Sequence, residues 1–329
     1  MRILIVNNSA IPVQLYGGTE RVIWGLGKEL VKLGHQVSFL VKLGSHCDFA
    51  SVIHIDESIP ILNQITNSYD VVHFNFSPEG IESFPIPYII TIHGNSNDLK
   101  ELNKNTVFVS KNHAFRYNSN SYIHNGLDWS EYKNPDLNKK RSYFHFLGNA
   151  AWRVKNVAGA IDIIKKTKSE NLKVLGGVRF NFKMGIRFTF SNRIYFSGMI
   201  GGDEKCNLLN GSKGLIFPVK WHEPFGLAII ESLYYGCPVF GTPYGSLPEL
   251  ITEDFGHLSN SADELSEAVL SSDKYSKQRC HEYAMEQFNH KKMTLEYVKK
   301  YEEVISGNTL NPNPPKLKEV QEAKWLEWK

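Results

Sequence analysis

Short apolar runs alternate along this chain with longer stretches in which apolar residues return every three or four positions. The runs Arg2–Val6, Val37–Val41, Val71–Phe74, Tyr88–Ile92 and Thr106–Val109 predict buried strands in the first part. A second series is predicted at Tyr143–Leu147, Lys173–Leu175, Arg193–Phe196, Leu215–Pro218 and Pro238–Gly241. After the first strand and a Gly-Gly turn, a helix carries Val22, Ile23, Leu26, Leu30 and Leu33 on one face. Further helices are expected over Asn156–Lys168, Glu204–Asn210, Gly226–Tyr235, Ala262–Leu270 and, as one long run, Tyr275–Ile305. Strands alternating with helices build parallel sheets covered on both faces, so the expected class is α/β.

The polar stretch Tyr132–Arg141 contains Pro135, ends in Lys139, Lys140 and Arg141, and reads as a linker. The expected organisation is a first Rossmann-like domain over residues 1–135 and a second over 142–290, then a helical tail, 291–329, crossing back onto the first. In the tail, Asn308–Pro315 breaks the helix, and Trp325 and Trp328 are expected to pin a short helix to the body. Each half has its own sheet and Gly-rich turn. The expected ligand site is therefore the cleft between them, at the carboxyl ends of the strands.

Composition narrows the class. With 42% hydrophobic and 22% charged residues over 329 positions, the chain has the make-up of a well-cored globular protein. The formal charge, 37 − 34 = +3, does not imply nucleic acid, although a few excess cations suit a diphosphate. Ile3–Val6 is too short for a signal-peptide core, and no apolar run is long enough to span a membrane. Cys47, Cys206, Cys237 and Cys280 are scattered without a Cys-x-x-Cys spacing, which points to free thiols. The expected location is the cytoplasm, including the inner face of the membrane, with weak peripheral contact there. Arg179–Tyr195 interleaves cations with aromatics, but no RNA-binding motif accompanies it; a solvated edge or part of a base pocket is the plainer reading. Lys111, His113 and Arg116 make a small basic group at a helix start, read as a solvated face or a dock for phosphate or anionic lipid.

The densest chemistry lies in Pro218–Glu249, PVKWHEPFGLAIIESLYYGCPVFGTPYGSLPE. A strand ends at Pro218, a loop carries Glu223, and Phe225-Gly226 opens a helix. The N–H groups of Phe225, Gly226 and Leu227 at that start form a ready site for phosphate. Glu231 follows Phe225 by six residues, about 9 Å down the helix, near the distance from a diphosphate to its ribose hydroxyls. One carboxylate can accept from both hydroxyls of a diol. Glu223, outside the helix, is placed for hydroxyls of a transferred sugar. The competing reading makes Glu223 a helix cap and Glu231 a solvated residue.

Glu223-Pro-Phe-Gly…Glu231, followed by Gly236-Cys-Pro-Val and Leu247-Pro-Glu, resembles the E-x7-E region of family 4 retaining glycosyltransferases of the GT-B fold. The resemblance runs to about residue 305. Asn125-Gly126-Leu127-Asp128 resembles the family's Asn-Gly-Val-Asp element, and Ser197-Gly198-Met199-Ile200 the loop whose backbone reads the base. It implies a role at the donor sugar for Glu223 and at the ribose for Glu231. It also implies that the backbone at Gly17-Gly18-Thr19-Glu20 lies over the phosphates, and that His93 sits beside the reacting sugar carbon. His73 would stand behind. Retention of configuration, a UDP-sugar in preference to a GDP-sugar, and an acceptor in polysaccharide biosynthesis (glycan, lipid-linked or small-molecule) belong to the same implication. No further cofactor and no metal are expected, since no Asp-x-Asp pair is present to hold an ion against a diphosphate.

The chain departs from the family at the start of the second domain. The usual Gly-Arg, four residues, then Lys-Gly is replaced by Gly148-Asn149-Ala-Ala-Trp-Arg153-Val-Lys155-Asn156. Lys155 is expected to grip the diphosphate, with Arg153 standing in for the missing arginine. The rival readings are a nucleotide-sugar epimerase or phosphorylase on this architecture, and a non-catalytic nucleotide-sugar-binding subunit. A nicotinamide dehydrogenase is disfavoured, because no G-x-G-x-x-G follows the first strand.

Overall fold

The computed structural model describes residues 1–13, 17–182 and 187–329. Residues 183–186, within the cation–aromatic stretch, lie outside the described residues. The first strands and helices are β1 (Arg2–Asn7), α1 (Gly18–Lys32), β2 (Gln36–Val41), β3 (Ser51–His54), β4 (Val71–Phe74), β5 (Tyr88–Ile92), β6 (Thr106–Phe108) and α2 (Lys111–Arg116). Next come β7 (Tyr143–Leu147), α3 (Val157–Lys166), β8 (Leu172–Leu175), β9 (Phe180–Asn181), β10 (Arg187–Phe188), β11 (Ile194–Phe196), α4 (Gly202–Asn210) and β12 (Ser212–Phe217). The last are α5 (Leu227–Tyr234), β13 (Val239–Gly241), α6 (Leu247–Leu250), β14 (Gly256–Leu258), α7 (Ala262–Leu270), α8 (Lys277–Gln287) and α9 (His290–Ile305).

Two compact units result. The first comprises residues 1–13, 17–128 and 288–321. Its sheet is parallel throughout, in the order β3-β2-β1-β4-β5-β6. Ile3, Leu4, Ile5 and Val6 are fully buried, as a central parallel strand covered on both faces requires. α1 buries Val22, Ile23, Leu26 and Leu30. Leu33, assigned to that face, instead closes the helix and is 39% exposed. α9 packs on α1, β4 and β5 through Tyr297 and Tyr301. The returning chain docks at Asn125–Asp128: Leu127 N–H donates to Phe288 O at 3.0 Å and His290 N–H to Leu127 O at 3.0 Å. Gly126 is glycine because a Cβ there would lie 2.2 Å from Asn289 O.

The second unit comprises residues 129–287 and 322–329. Its main sheet, β11-β8-β7-β12-β13-β14, repeats the winding of the first and is also parallel. The division falls at Asp128/Trp129 and not within Tyr132–Arg141. The expected linker is built into this unit: Arg141 is buried and its guanidinium donates to Ser212 O, Tyr235 O and Gly236 O. A cation at the carbonyl end of α5 meets the negative end of the helix dipole.

The expected long helix is two, α8 and α9, because Asn289 caps the second by accepting from Lys292 N–H at 2.8 Å. The tail also divides. Residues 288–321 belong to the first unit, whereas 322–329 belong to the second. There, Leu326 N–H donates to Lys220 O at 2.9 Å, and Trp328 packs on the core beside Gly159. The residues carrying Trp325 and Trp328 are not helical. Among the described residues no helix is long and apolar enough to cross a membrane.

Candidate active site

The second unit's sheet reverses its winding between β7 and β12, where a doubly wound sheet opens a crevice for ligand. From β7 the chain turns at Gly148-Asn149 and enters a 3-10 turn, Arg153–Lys155. Asn156 follows with φ 55° and ψ 50°, a left-handed conformation that asparagine tolerates better than most residues. That explains how asparagine stands where the family element carries glycine. Its Oδ1 accepts from Gly159 N–H at 3.1 Å, capping α3, while its Nδ2 donates to Pro218 O at 2.9 Å. One side chain thus starts a helix and ties the β7 loop to the end of β12.

Lys155 and Glu223 meet across these loops. Lys155 Nζ donates to Glu223 Oε2 at 2.7 Å, and Trp221 Nε1 donates to the same oxygen at 2.8 Å. The two charged residues are 8% and 6% exposed. The ammonium also lies 5.3 Å from the Phe217 ring centroid and 5.0 Å from that of Trp221, within cation–π range. The Glu223 backbone is pinned from β13's far side. Gly245 (φ 65°) packs so closely that a Cβ would sit 2.2 Å from Glu223 N, and Ser246 N–H donates to Glu223 O at 2.9 Å. Ser246 Oγ donates to Phe225 O at 2.6 Å.

Gly226 (φ 87°) then opens α5, and among the described residues no side chain caps that helix. Its first-turn N–H groups at Leu227 and Ala228 suit an anion. Glu231, further along α5, is buried and not solvated. Its Oε1 accepts from Tyr132 OH at 2.7 Å and from the buried ammonium of Lys205 on α4. Met199 is exposed beside Gly198, whose N–H donates to Gly177 O at 3.1 Å and so joins the loops leaving β8 and β11. Arg153 is exposed, whereas Asn149 is half-buried with Oδ1 accepting from Ala151 N–H at 3.0 Å. Among the described residues no group of three or more His, Cys, Asp or Glu side chains is placed to hold a metal.

The first unit holds the other expected residues. Half-buried His93 leaves β5 and its Nε2 lies 2.9 Å from Asn75 Oδ1. Asn75 Nδ2 donates to Val6 O at 3.1 Å, so Oδ1 is the acceptor and the imidazole carries its proton on Nε2. Desolvation pushes its pKa down to about 4, and the ring is neutral at physiological pH. Gly17 precedes α1 and Gly18 begins it; a Cβ on Gly17 would lie 2.8 Å from Glu20 Oε2. His73 is a core residue between Tyr301 OH and Thr91 Oγ1, at 2.8 Å from each. The expected basic group on α2 is not a surface patch: His113 is buried against Phe108 and Tyr117, and Arg116 donates to Asn95 Oδ1 at 2.9 Å.

The structure therefore brings Lys155 to Glu223 and adds Trp221, Lys205, Tyr132, Asn75 and the Gly245-Ser246 clamp, none of which was singled out from sequence. Trp221 could have been, two positions from Glu223. Lys205 and Tyr132 carry no local signal.

Residues 128–287 match the family described as glycosyl transferases group 1. An uncharacterized 41.2 kDa protein in the cps region of Klebsiella pneumoniae is 30% identical over 94 residues, 26% of this chain and 26% of that protein. The match thus spans about a quarter of that relative. Among solved structures, AviGT4, a glycosyltransferase involved in avilamycin A biosynthesis, superposes with a TM-score of 0.76 at 19% identity, covering 94% of this chain and 99% of that one. Anabaena Alr3699/HepE in complex with UDP and glucose does so with a TM-score of 0.66 at 14% identity, over 92% and 99%. The chain has the GT-B fold, and its residues 128–287 are similar to the glycosyl transferases group 1 family.

Proposed function

We propose that this chain is a retaining, metal-independent glycosyltransferase that takes a sugar from a UDP-sugar and delivers it to a glycan or lipid-linked acceptor in the cytoplasm. The observation that carries the reading is the buried Lys155–Glu223 pair, held at the winding reversal of the second unit beside an uncapped helix start. An ammonium has three donors, and one is used on Glu223. The others suit diphosphate oxygens, with the Leu227 and Ala228 N–H groups adding positive potential. Engagement of Lys155 by phosphate loosens its hold on Glu223, whose carboxylate then accepts from hydroxyls of the sugar. Glu231, already oriented by Tyr132 and Lys205, receives the ribose diol. Met199 and its neighbours line the base.

The leaving UDP carries the charge that develops as the glycosidic bond breaks, and fixed donors stabilise that charge without reorganising. Neutral His93, oriented by Asn75, can accept a hydrogen bond at Nδ1 from a sugar hydroxyl. UDP bound to Alr3699/HepE supports the choice of donor. The test is release of the corresponding nucleoside diphosphate from a panel of UDP-, GDP-, ADP- and dTDP-sugars by the purified chain in EDTA, with the anomer of any product read by NMR. Activity that vanishes in EDTA and returns with manganese, or an inverted product, overturns the corresponding part. A nucleotide-sugar that is epimerised without an acceptor overturns the whole.

A further inference from the structure

The last stretch of the second unit, Glu322–Lys329, has no helix or strand of its own, and only Trp325, Leu326 and Trp328 are half-buried. It nevertheless meets the chain that leaves four neighbouring strands, β7, β12, β13 and β14, at their carboxyl ends. After β7, Trp328 packs on the start of α3, where a Cβ on Gly159 would lie 2.9 Å from its Cε2. After β12, Leu326 N–H donates to Lys220 O at 2.9 Å, and the Lys220 ammonium lies 5.1 Å from the Trp325 ring centroid. After β13, Tyr244 OH donates to Glu327 O at 2.8 Å. After β14, Lys329 N–H donates to Asn260 O and Ala262 N–H to Lys329 O, both at 2.8 Å. The segment is a strap laid across one edge of the sheet.

Three of these anchors lead directly to groups that hold the Lys155–Glu223 pair. Lys220 precedes Trp221, whose indole donates to Glu223. Lys220 N–H also donates to Val154 O at 2.7 Å, next to Lys155. Tyr244 precedes Gly245, which packs against the Glu223 backbone. Gly159, beneath Trp328, donates to Asn156, the residue after Lys155. One main-chain path thus runs from Leu326 through Lys220 to the turn that carries Lys155. Loops are the mobile part of such a fold, and a displacement of about 1 Å at a reacting group can cost about a hundredfold in rate. We infer that Glu322–Lys329 is a positioning strap: by fixing Lys220, Tyr244 and the start of α3, it holds the Lys155 ammonium and the Glu223 carboxylate in place for the diphosphate and sugar of the donor. The inference rests on the donor-site reading proposed above. It gives the strap no contact with the ligand itself.

The experiment compares the full chain with a variant lacking residues 322–329 and with Leu326→Pro, which removes the N–H that meets Lys220 O. Both variants should bind UDP, and release it from a UDP-sugar, at least about tenfold less well. Their affinity for uridine, which has no phosphate for Lys155 to meet, should stay that of wild type. Leu326→Pro carries the comparison alone if the truncated chain does not fold. A strap that serves stability only would lower the melting temperature and leave the ratio of UDP to uridine affinity unchanged; that result overturns the proposal. Backbone hydrogen exchange adds a readout that needs no ligand. The segments around Val154 and Lys220 should exchange faster in both variants, and unchanged exchange there overturns the strap while leaving the donor site standing. Wild type that binds no UDP, with the faster exchange still seen in the variants, overturns the donor reading and with it the strap's part in transfer.

Discussion

The two units wind their sheets in the same order yet differ in the polar groups buried against those sheets, the first unit's buried carboxylates Glu29 and Asp128 lying apart from its sheet, beside His290 and Lys28. Beneath α9 in the first unit, His73, Thr91, Tyr297 and Tyr301 form a neutral network; Thr91 Oγ1 and Tyr297 OH are 3.1 Å apart. Desolvation pushes His73 down to about 3 and raises both tyrosines, so no member carries charge. The second unit has a comparable neutral element under its own sheet, His145 between Ser212 and Ser232. At its carboxyl edge, however, it holds two buried ion pairs, Lys155–Glu223 and Lys205–Glu231. A neutral network is cheap to bury once its hydrogen bonds are made, whereas a buried ion pair seldom recovers its desolvation cost. Retaining two such pairs at one sheet edge makes sense where a charged ligand is to be received.

The sharpest way to break this comparison is to remove one charge. Lys155→Ala leaves Glu223 buried without its cation and should cost about 3–5 kcal/mol of stability, along with sugar transfer. Lys155→Met/Glu223→Leu should recover most of the stability and none of the turnover. Urea unfolding and UDP release on the same preparations check both. A single variant as stable as wild type would show that the pair contributes nothing beyond its neighbours.

Acid titration addresses the neutral groups. His73, His113 and His145 are held down to about 3 and His93 to about 4, in each case chiefly by desolvation. Above the ordinary value of 6.5 these rings are neutral in both states and stability is full. As pH falls below it, the unfolded chain binds protons that the folded chain refuses. Stability is then lost progressively until the folded values are passed. Each ring contributes up to about 1.4 kcal/mol per pH unit in that window. The melting temperature should therefore drop steeply from pH 6.5 towards 4, and His73→Gln should reduce the slope by one proton. A flat profile would mean that the histidines titrate freely.

Much of this architecture is legible in the chain because central parallel strands are apolar on both faces. Val71–Phe74, Tyr88–Ile92 and Tyr143–Leu147 stand where the pattern puts them. β3 was not legible: it is an edge strand, largely exposed, and SVIH has no apolar run. The break between α8 and α9 was masked because helical periodicity continues across Phe288-Asn289, although Asn289 is a recognisable cap. At the site, Lys155, Glu223 and Glu231 could be chosen from local spacing. Their mutual arrangement could not. Glu231 and Lys205 are 26 residues apart and meet only because α4 and α5 flank neighbouring strands.

The Glu231 cluster sharpens the comparison at smaller scale. Glu231→Gln keeps the side chain's shape but removes the charge shared with Lys205, and it weakens acceptance from a ribose diol. The dissociation constant of UDP should rise by the equivalent of about 1.5–3 kcal/mol, as for a hydrogen bond to a charged group. Calorimetric titration of UDP against both proteins measures it. If affinities are equal, Lys205 and Tyr132 hold Glu231 for structural reasons and the ribose binds elsewhere.

The smallest expected effect tests whether the second unit's edge recruits an exposed cation as well as its buried ones. Arg153 sits two residues before Lys155 in the same 3-10 turn; burial chiefly lowers the pKa of Lys220 and the charge of Arg153 adds to it, so that charge reaches this edge. Its exposure means that solvent screens it and that water, not a carboxylate, must be displaced when phosphate arrives. An exposed charge contact of this kind is worth about 0.2–1 kcal/mol. Arg153→Ala should therefore weaken UDP binding by only a few-fold, with a difference that shrinks as salt is raised. Asn149→Ala should matter less, because that side chain is occupied with Ala151 N–H and carries no charge. Titrations of UDP and of uridine at low and high salt separate the cases, since uridine has no phosphate for Arg153 to meet. If Arg153→Ala binds UDP as wild type does while Asn149→Ala does not, the extra residue in this loop serves only to lengthen the turn. Lys155 is then the loop's sole contribution to the diphosphate.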